Sequence, residues 1–195
     1  MRGGDFMDSA LIVSSSEKGL DLISQLLNAN TKTTVTSAKS SSEARRLLNT
    51  AEYDIVVINS PLPDELGDNL AVAITEISAS GVLLIVKNEM ADDISAKVEN
   101  YGVLIVPKPI IRQVFMQAHK LAIASKKRIL GLKNENISLH QKIEEMRIVT
   151  RAKCVLIQYL NMSENQAHRY IEKQAMDMRT TRQEIAQNIL KTYET

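Results

Sequence analysis

The chain has 195 residues, 44% of them hydrophobic but only 4% aromatic, enough for one or two domains with a packed core. Its formal net charge of +1 hides an asymmetry, because residues 1–111 hold 9 Lys+Arg against 15 Asp+Glu while residues 112–195 hold 15 against 8, so the second half is the better candidate for meeting a polyanion. A single cysteine excludes an internal disulfide, and the absence of a long apolar run or a recognisable signal peptide predicts a cytoplasmic protein with no membrane partner.

Residues 1–8 read as disordered. Ala10–Val13 is a short apolar run, a strand ending in Ser14, Ser15 and Ser16. Leu20, Leu22, Ile23, Leu26 and Leu27 then fall at helical spacing, and Thr33–Ser37 is a β-branched second strand. Ser41 or Ser42 is placed to cap a helix over Glu43–Leu48. Ile55–Ile58 is uninterruptedly apolar, as in a strand buried on both faces. A loop with Pro61 and Pro63 leads to a helix around Leu70–Ile77 and a fourth strand at Val82–Val86. Ile94, Val98 and Tyr101 mark a short helix, and Val103–Val106 the fifth strand. This alternation predicts an α/β fold, a five-stranded doubly wound parallel sheet.

Five such units over residues 8–124 resemble a response-regulator receiver domain. In that family an acidic pair after the first strand holds Mg²⁺, an aspartate after the third accepts phosphate, and a Thr/Ser after the fourth and a Lys after the fifth sense it. Here those positions are Ser14 and Ser15, Asn59, Val86 and Lys108; only Lys108, before Pro109, keeps the family residue. An amide is no phosphoryl-accepting nucleophile, two serines bring no charge to a hard cation, and Val86 has no hydroxyl. These departures make the domain a pseudo-receiver with no metal, in which Lys108, a cation left without metal or acceptor, is expected to bond Asn59 or nearby carbonyls; the resemblance further implies a cis bond before Pro109. Whether a small molecule, a signalling partner protein or nothing replaces phosphorylation is left open by these residues.

Beyond Ile111 the pattern is continuously helical, with no further proline and one glycine, Gly131. Ile129, Leu132, Asn136, Leu139, Ile143 and Met146 recur in steps of three and four, an a/d seam with Asn136 at an a position. A buried Asn at a fixes register and favours a parallel pair, so residues 125–150 are expected to form a coiled-coil homodimer. The alternative is one amphipathic helix packed on its own domain.

Residues 151–195 carry three short helical patterns. Ala152, Val155, Leu156 and Tyr159 form one; Ala167, Tyr170, Ile171, Ala175 and Met178 the next; Ile185, Ile189, Leu190 and Tyr193 the last. Ser163 with Gln166, and Thr181 with Glu184, supply capping pairs at the breaks. Cys154 is expected to be a small half-buried residue. The polar faces carry Lys153, Arg169, Lys173, Arg179 and Arg182, with Glu172 and Glu184 as available partners. Read alone, that is an ordinary solvated helical surface. The runs A-K-x-x-L, M-S-E-x-x-A and A-M-D followed by basic residues and I-A-x-x-I-L, however, resemble an ANTAR domain, the RNA-binding module of bacterial transcription antiterminators. That resemblance covers Ala152 to about Leu190 and implies binding of RNA hairpins in nascent messages, with those five cations on the RNA face.

Two other readings stand beside it. The last three helices could serve as a DNA-binding output, although Thr181, Arg182 and Gln183 make a thin recognition surface. The basic face could instead meet an acidic protein as a scaffold. An enzyme is not expected: there is no phosphate-binding glycine loop or catalytic carboxylate pair, no cofactor is implied, and His119, His140 and His168 form no metal constellation, each being expected on a helix surface.

Overall fold

A computed structural model describes residues 8–29 and 32–193. The chain divides into two compact units, Met1–Gly131 and Leu132–Thr195. The first unit alternates β1 (Asp8–Val13), α1 (Glu17–Leu27), β2 (Thr33–Ala38), α2 (Ser41–Leu48), β3 (Ile55–Asn59), α3 (Asp68–Ile77), β4 (Gly81–Lys87), α4 (Ala91–Val98) and β5 (Leu104–Lys108). Helix α5 (Arg112–Leu160) starts in this unit and continues into the second, which adds α6 (Glu164–Asp177) and α7 (Arg182–Tyr193).

The five strands are all parallel, in the order β2-β1-β3-β4-β5. Because side chains alternate along a strand, the central strands supply two separate cores. Leu11, Val13, Val56, Ile58, Leu84 and Val86 face Ala44 of α2, Leu70 and Ile74 of α3, and Ile94 and Val98 of α4. Ala10, Ile12, Val57, Leu83 and Ile85 face Ile23 and Leu27 of α1 and Phe115 and Ala122 of α5. Phe115 has no exposed surface; truncation of such a side chain to Ala costs about 3–5 kcal/mol.

Two contacts fix the start of α5 on the sheet. A Cβ on Gly81, the first residue of β4, would lie 2.9 Å from the Ala122 Cβ, so glycine is what lets the helix approach this closely. Four residues on, the Lys126 Nζ donates to the Asp54 Oδ1 at 2.7 Å, while Ser9 donates its backbone N–H and its hydroxyl to Oδ2 at 2.7 and 2.9 Å. Burial by itself would raise the Asp54 pKa, but these bonds outweigh it and hold the carboxyl below its ordinary value.

The second unit has its own core of Ala152, Val155 and Leu156 from α5, Ala167, Ile171 and Ala175 from α6, and Ile185, Ala186 and Ile189 from α7. Its first helix is the end of α5, which stops at Asn161 with φ 50°. Ser163 and Gln166 form a reciprocal capping box, and the Thr181 hydroxyl accepts the Glu184 N–H at 3.2 Å. Tyr159 and Tyr193 bring their rings to 5.5 Å.

Several residues lie elsewhere than their spacing predicts. Asp8, placed with a disordered start, is the first residue of β1, while residues 1–7 lie outside the described part. Ser40 rather than Ser41 or Ser42 caps α2, because Ser41 and Ser42 are already in the helix and donate to Asp64. Tyr101 lies in a short 3₁₀ turn after α4. Cys154 is exposed rather than half-buried, since Ala152 and Val155 take the core-facing positions. Met178, at 65% exposure, falls beyond the end of α6. His119 is the largest departure: it is buried on the same helix as Phe115 and Ala122, and its Nε2 has no hydrogen-bond partner among the described residues.

Burial holds the His119 imidazole below its ordinary pKa, partly countered by the Asp8 carboxylate. The unfolded chain therefore binds this proton more readily. The stability it contributes is present above the ordinary imidazole pKa and is lost as pH falls through that value toward the lower folded one. The thermal midpoint of the first unit should drop between about pH 7 and pH 5, and His119→Leu should flatten that part of the profile. Equal pH slopes for the two proteins would contradict this account of His119.

Candidate functional site

The carboxyl ends of the strands, where open α/β sheets place their sites, are closed by hydrogen bonds in this protein. Asn59, at the end of β3, donates from Nδ2 to the Ser14 Oγ at 3.0 Å; Ser14 donates in turn to the Ser16 carbonyl at 3.0 Å. The Asn59 Oδ1 is buried without a partner among the described residues. The first turn of α1 lies directly over this amide, because a Cβ on Gly19 would stand 2.4 Å from Asn59 Nδ2 and 3.1 Å from Ser14 Oγ. Ser15 is exposed, and Val86 is buried at the end of β4.

Lys108 does not reach Asn59. Its Nζ donates to the Ser60 carbonyl, and the bond to Pro109 that follows it is cis, as is Ser60–Pro61. Burial, and then the charge of Lys87, push the Lys108 pKa down. Of the five positions named from the sequence, the structure thus joins Ser14 to Asn59 and sets Lys108 against the neighbouring loop, leaving Ser15 and Val86 apart. Among the described residues no cluster of three His, Cys, Asp or Glu is arranged to hold a metal. The carboxylates in the β3–α3 loop serve α2 instead. Asp64 accepts the backbone N–H groups of Ser41 and Ser42 at 3.0 Å each, which holds its pKa down, and Glu65 accepts from the Ser41 hydroxyl.

In the second unit the five cations separate into two groups. Lys153 is largely covered and pairs with Glu164 at 3.1 Å. Arg182, at the start of α7, lies between Glu145 at 3.2 Å and Glu172 at 3.9 Å; Glu172 also meets His168 at 3.3 Å. Glu145 and Glu164 were not singled out as partners by sequence, whereas Glu172 was. No ion pair among the described residues engages Arg169, Lys173 or Arg179. With Ala167, Ile171 and Ala175 buried, helical geometry puts Arg169 and Lys173 one turn apart on the opposite, solvent side of α6. Arg179 follows in the turn to α7 at φ 51°, a left-handed conformation that costs a non-glycine residue about 1 kcal/mol or more. Exposed Met176 and Met178 lie in the same turn region.

The seam residues Ile129, Leu132, Leu139, Ile143 and Met146 are about half or more exposed, and every residue from 127 to 144, Asn136 included, is solvent-facing on the single chain. The alternative of a helix packed along this stretch on its own domain is therefore not what the structure contains. No helix of the described residues is long and apolar enough to cross a membrane.

Residues 138–190 match the family model of the ANTAR domain. The chain thus joins an α/β domain of receiver fold to an ANTAR domain. It is similar to the transcriptional regulatory protein PdtaR of Mycobacterium tuberculosis, with 25% identity over 150 residues covering 77% of this chain and 73% of the relative. Among solved structures, it resembles the signal receiver domain of an HD domain-containing protein from Pseudomonas fluorescens Pf-5 (TM-score 0.59, 23% identity, 67% of this chain and 97% of that one). A response regulator receiver domain protein from Clostridium thermocellum gives a TM-score of 0.56 at 22% identity, over 63% of this chain and 99% of that one.

Proposed function

We propose that this protein is a cytoplasmic, antitermination-type transcriptional regulator that binds hairpin loops of nascent RNA as a homodimer and is not controlled by phosphorylation of its receiver-fold domain. The observation that carries the reading is the set of cations in the ANTAR domain with no carboxylate partner among the described residues: Arg169 and Lys173 on the outer side of α6, and Arg179 in the turn after it. Such groups meet phosphates without first breaking an ion pair, and the exposed thioethers of Met176 and Met178 offer apolar surface to unstacked bases. Loops splay their bases outward, whereas the A-form major groove is too narrow for a compact helical module.

The DNA-reading alternative depends on the start of α7, and there Arg182 is held by Glu145 and Glu172 rather than free to enter a groove. Dimerisation accounts for the seam. Each apolar a/d side chain buried against a second copy contributes about 1.5–3 kcal/mol, and Asn136 would pair with its counterpart. The pair of Ser14 and Asn59 supports the absence of phosphoryl control, since its amide and hydroxyl are bonded to each other and neither is a carboxylate.

Incubation with Mg²⁺ and acetyl phosphate or beryllofluoride should leave the mass and spectra of the protein unchanged; acid-labile phosphate at stoichiometric level would refute this part. In competition between an RNA hairpin, duplex DNA and heparin, the hairpin should win. The variant Arg169→Ala/Lys173→Ala/Arg179→Ala should bind it more weakly, with the slope of log affinity against log salt reduced by about two units. Equal affinity for duplex DNA and scrambled RNA, unchanged in that variant, would replace this reading with an acidic-partner scaffold.

A further inference from the structure

The polar junction of α5, α6 and α7 forms a shallow recess of about 700 Å³, open to solvent, that the cations of the outer face do not explain. Its walls are Glu145, Glu172, Arg182 and Thr181, and its apolar side is Ala175 and Met176. The charge here is the reverse of what a phosphate site needs. One guanidinium stands between two carboxylates, with Arg182 Nη2 on Glu145 Oε1 at 3.2 Å and Nη1 on Glu172 Oε1 at 3.9 Å. His168 also approaches that same Glu172 oxygen, at 3.3 Å. In these contacts the pairing of each carboxylate runs through its Oε1. A bare phosphate arriving at Arg182 meets net negative charge and must displace an existing pair, so the recess disfavours contacts that any polyanion could make.

We propose that this recess is a base-selecting subsite, in which Glu145 and Glu172 accept hydrogen bonds from the edge of one unpaired loop base while Ala175 and Met176 line its face. The proposal rests on the hairpin-binding reading and names the residues that give it selectivity. Adenine, cytosine and guanine each present an exocyclic amino group that a carboxylate can accept from, as Glu and Asp accept from cytosine N4. Uracil presents one imino donor flanked by two carbonyl oxygens, which would be turned toward the carboxylates. The recess therefore discriminates against uracil. Arg182 is held as a positioning residue that keeps the two carboxylates converging, and becomes available to a phosphate only when the base has engaged them.

The test uses the full chain and a pool of RNA hairpins with one fixed stem and a randomised loop, with the bound fraction sequenced. The wild-type protein should deplete uracil at one loop position by about tenfold, the discrimination expected of a good base-edge contact. The variant Glu145→Gln/Glu172→Gln keeps the size of both side chains at a partly exposed site, removes their charge, and adds donors that tolerate carbonyl edges. It should lose the preference at that one position and keep those at others. Its affinity for heparin should rise roughly fivefold, as expected when one cation is released to meet a polyanion. Wild-type enrichment of loops with no position biased against uracil would overturn this inference alone. So would a bias unaltered in the double variant with heparin affinity unchanged. Failure of the wild type to prefer any loop over the bare stem would overturn the hairpin reading itself, and this inference with it.

Discussion

Helix α5 must bury apolar surface at its two ends and exposes it in between. At its start, Phe115 and Ala122 enter the core beneath β4, a contact that a side chain at position 81 would prevent, and Lys126 is held by Asp54. At its end, Ala152, Val155 and Leu156 form one wall of the ANTAR core. The intervening stretch carries Ile129, Leu132, Leu139 and Ile143 in the open. So regular an apolar stripe is rarely left facing water without a use for it, and the proposed pairing with a second copy would cover it. One element thereby connects the receiver fold, the seam and the helices that carry the cations.

In the receiver-fold domain the strand ends carry Ser14, Ser15 and Asn59, which offer neither charge for a divalent cation nor a carboxylate nucleophile, and the proposed absence of phosphoryl control rests on that chemistry. What fills the space is local hydrogen bonding, Asn59 to Ser14 and Lys108 to Ser60, with Gly19 closing the first turn of α1 over the amide. The two cores on the faces of the sheet are built by the apolar strand residues and the helix faces packed on them, with Ser14 and Asn59 outside both.

The strands were legible because Ile55–Ile58 and Val82–Val86 have no polar interruption, so a buried parallel sheet was the consistent assignment. The ANTAR core was legible for a similar reason, since Ala152, Ala167, Ile171, Ala175, Ile185 and Ile189 keep helical spacing. Capping was less so: three consecutive serines offer the same hydroxyl, and Ser40 is selected by the position of Asp64, 22 residues or more away. His119 carried a usable signal, four residues after Phe115 and three before Ala122, on the buried stripe of α5, but a polar residue type argued against it. The pairing of Arg182 with Glu145 links helices 37 residues apart and has no local sequence signature. Basic residues could be enumerated from sequence; which of them are already neutralised could not.

A paired chain and a module that binds loops are tested together by a single comparison. Affinity is measured for an RNA carrying two hairpins and for each hairpin alone, with the wild type and with Leu139→Glu/Ile143→Glu. Two modules on one dimer convert the second contact into an intramolecular one, so the two-hairpin RNA should bind the wild type more tightly by on the order of a hundredfold, and the variant should lose that advantage while keeping its affinity for one hairpin. Equal affinity of the wild type for the single and the paired hairpins would contradict the account.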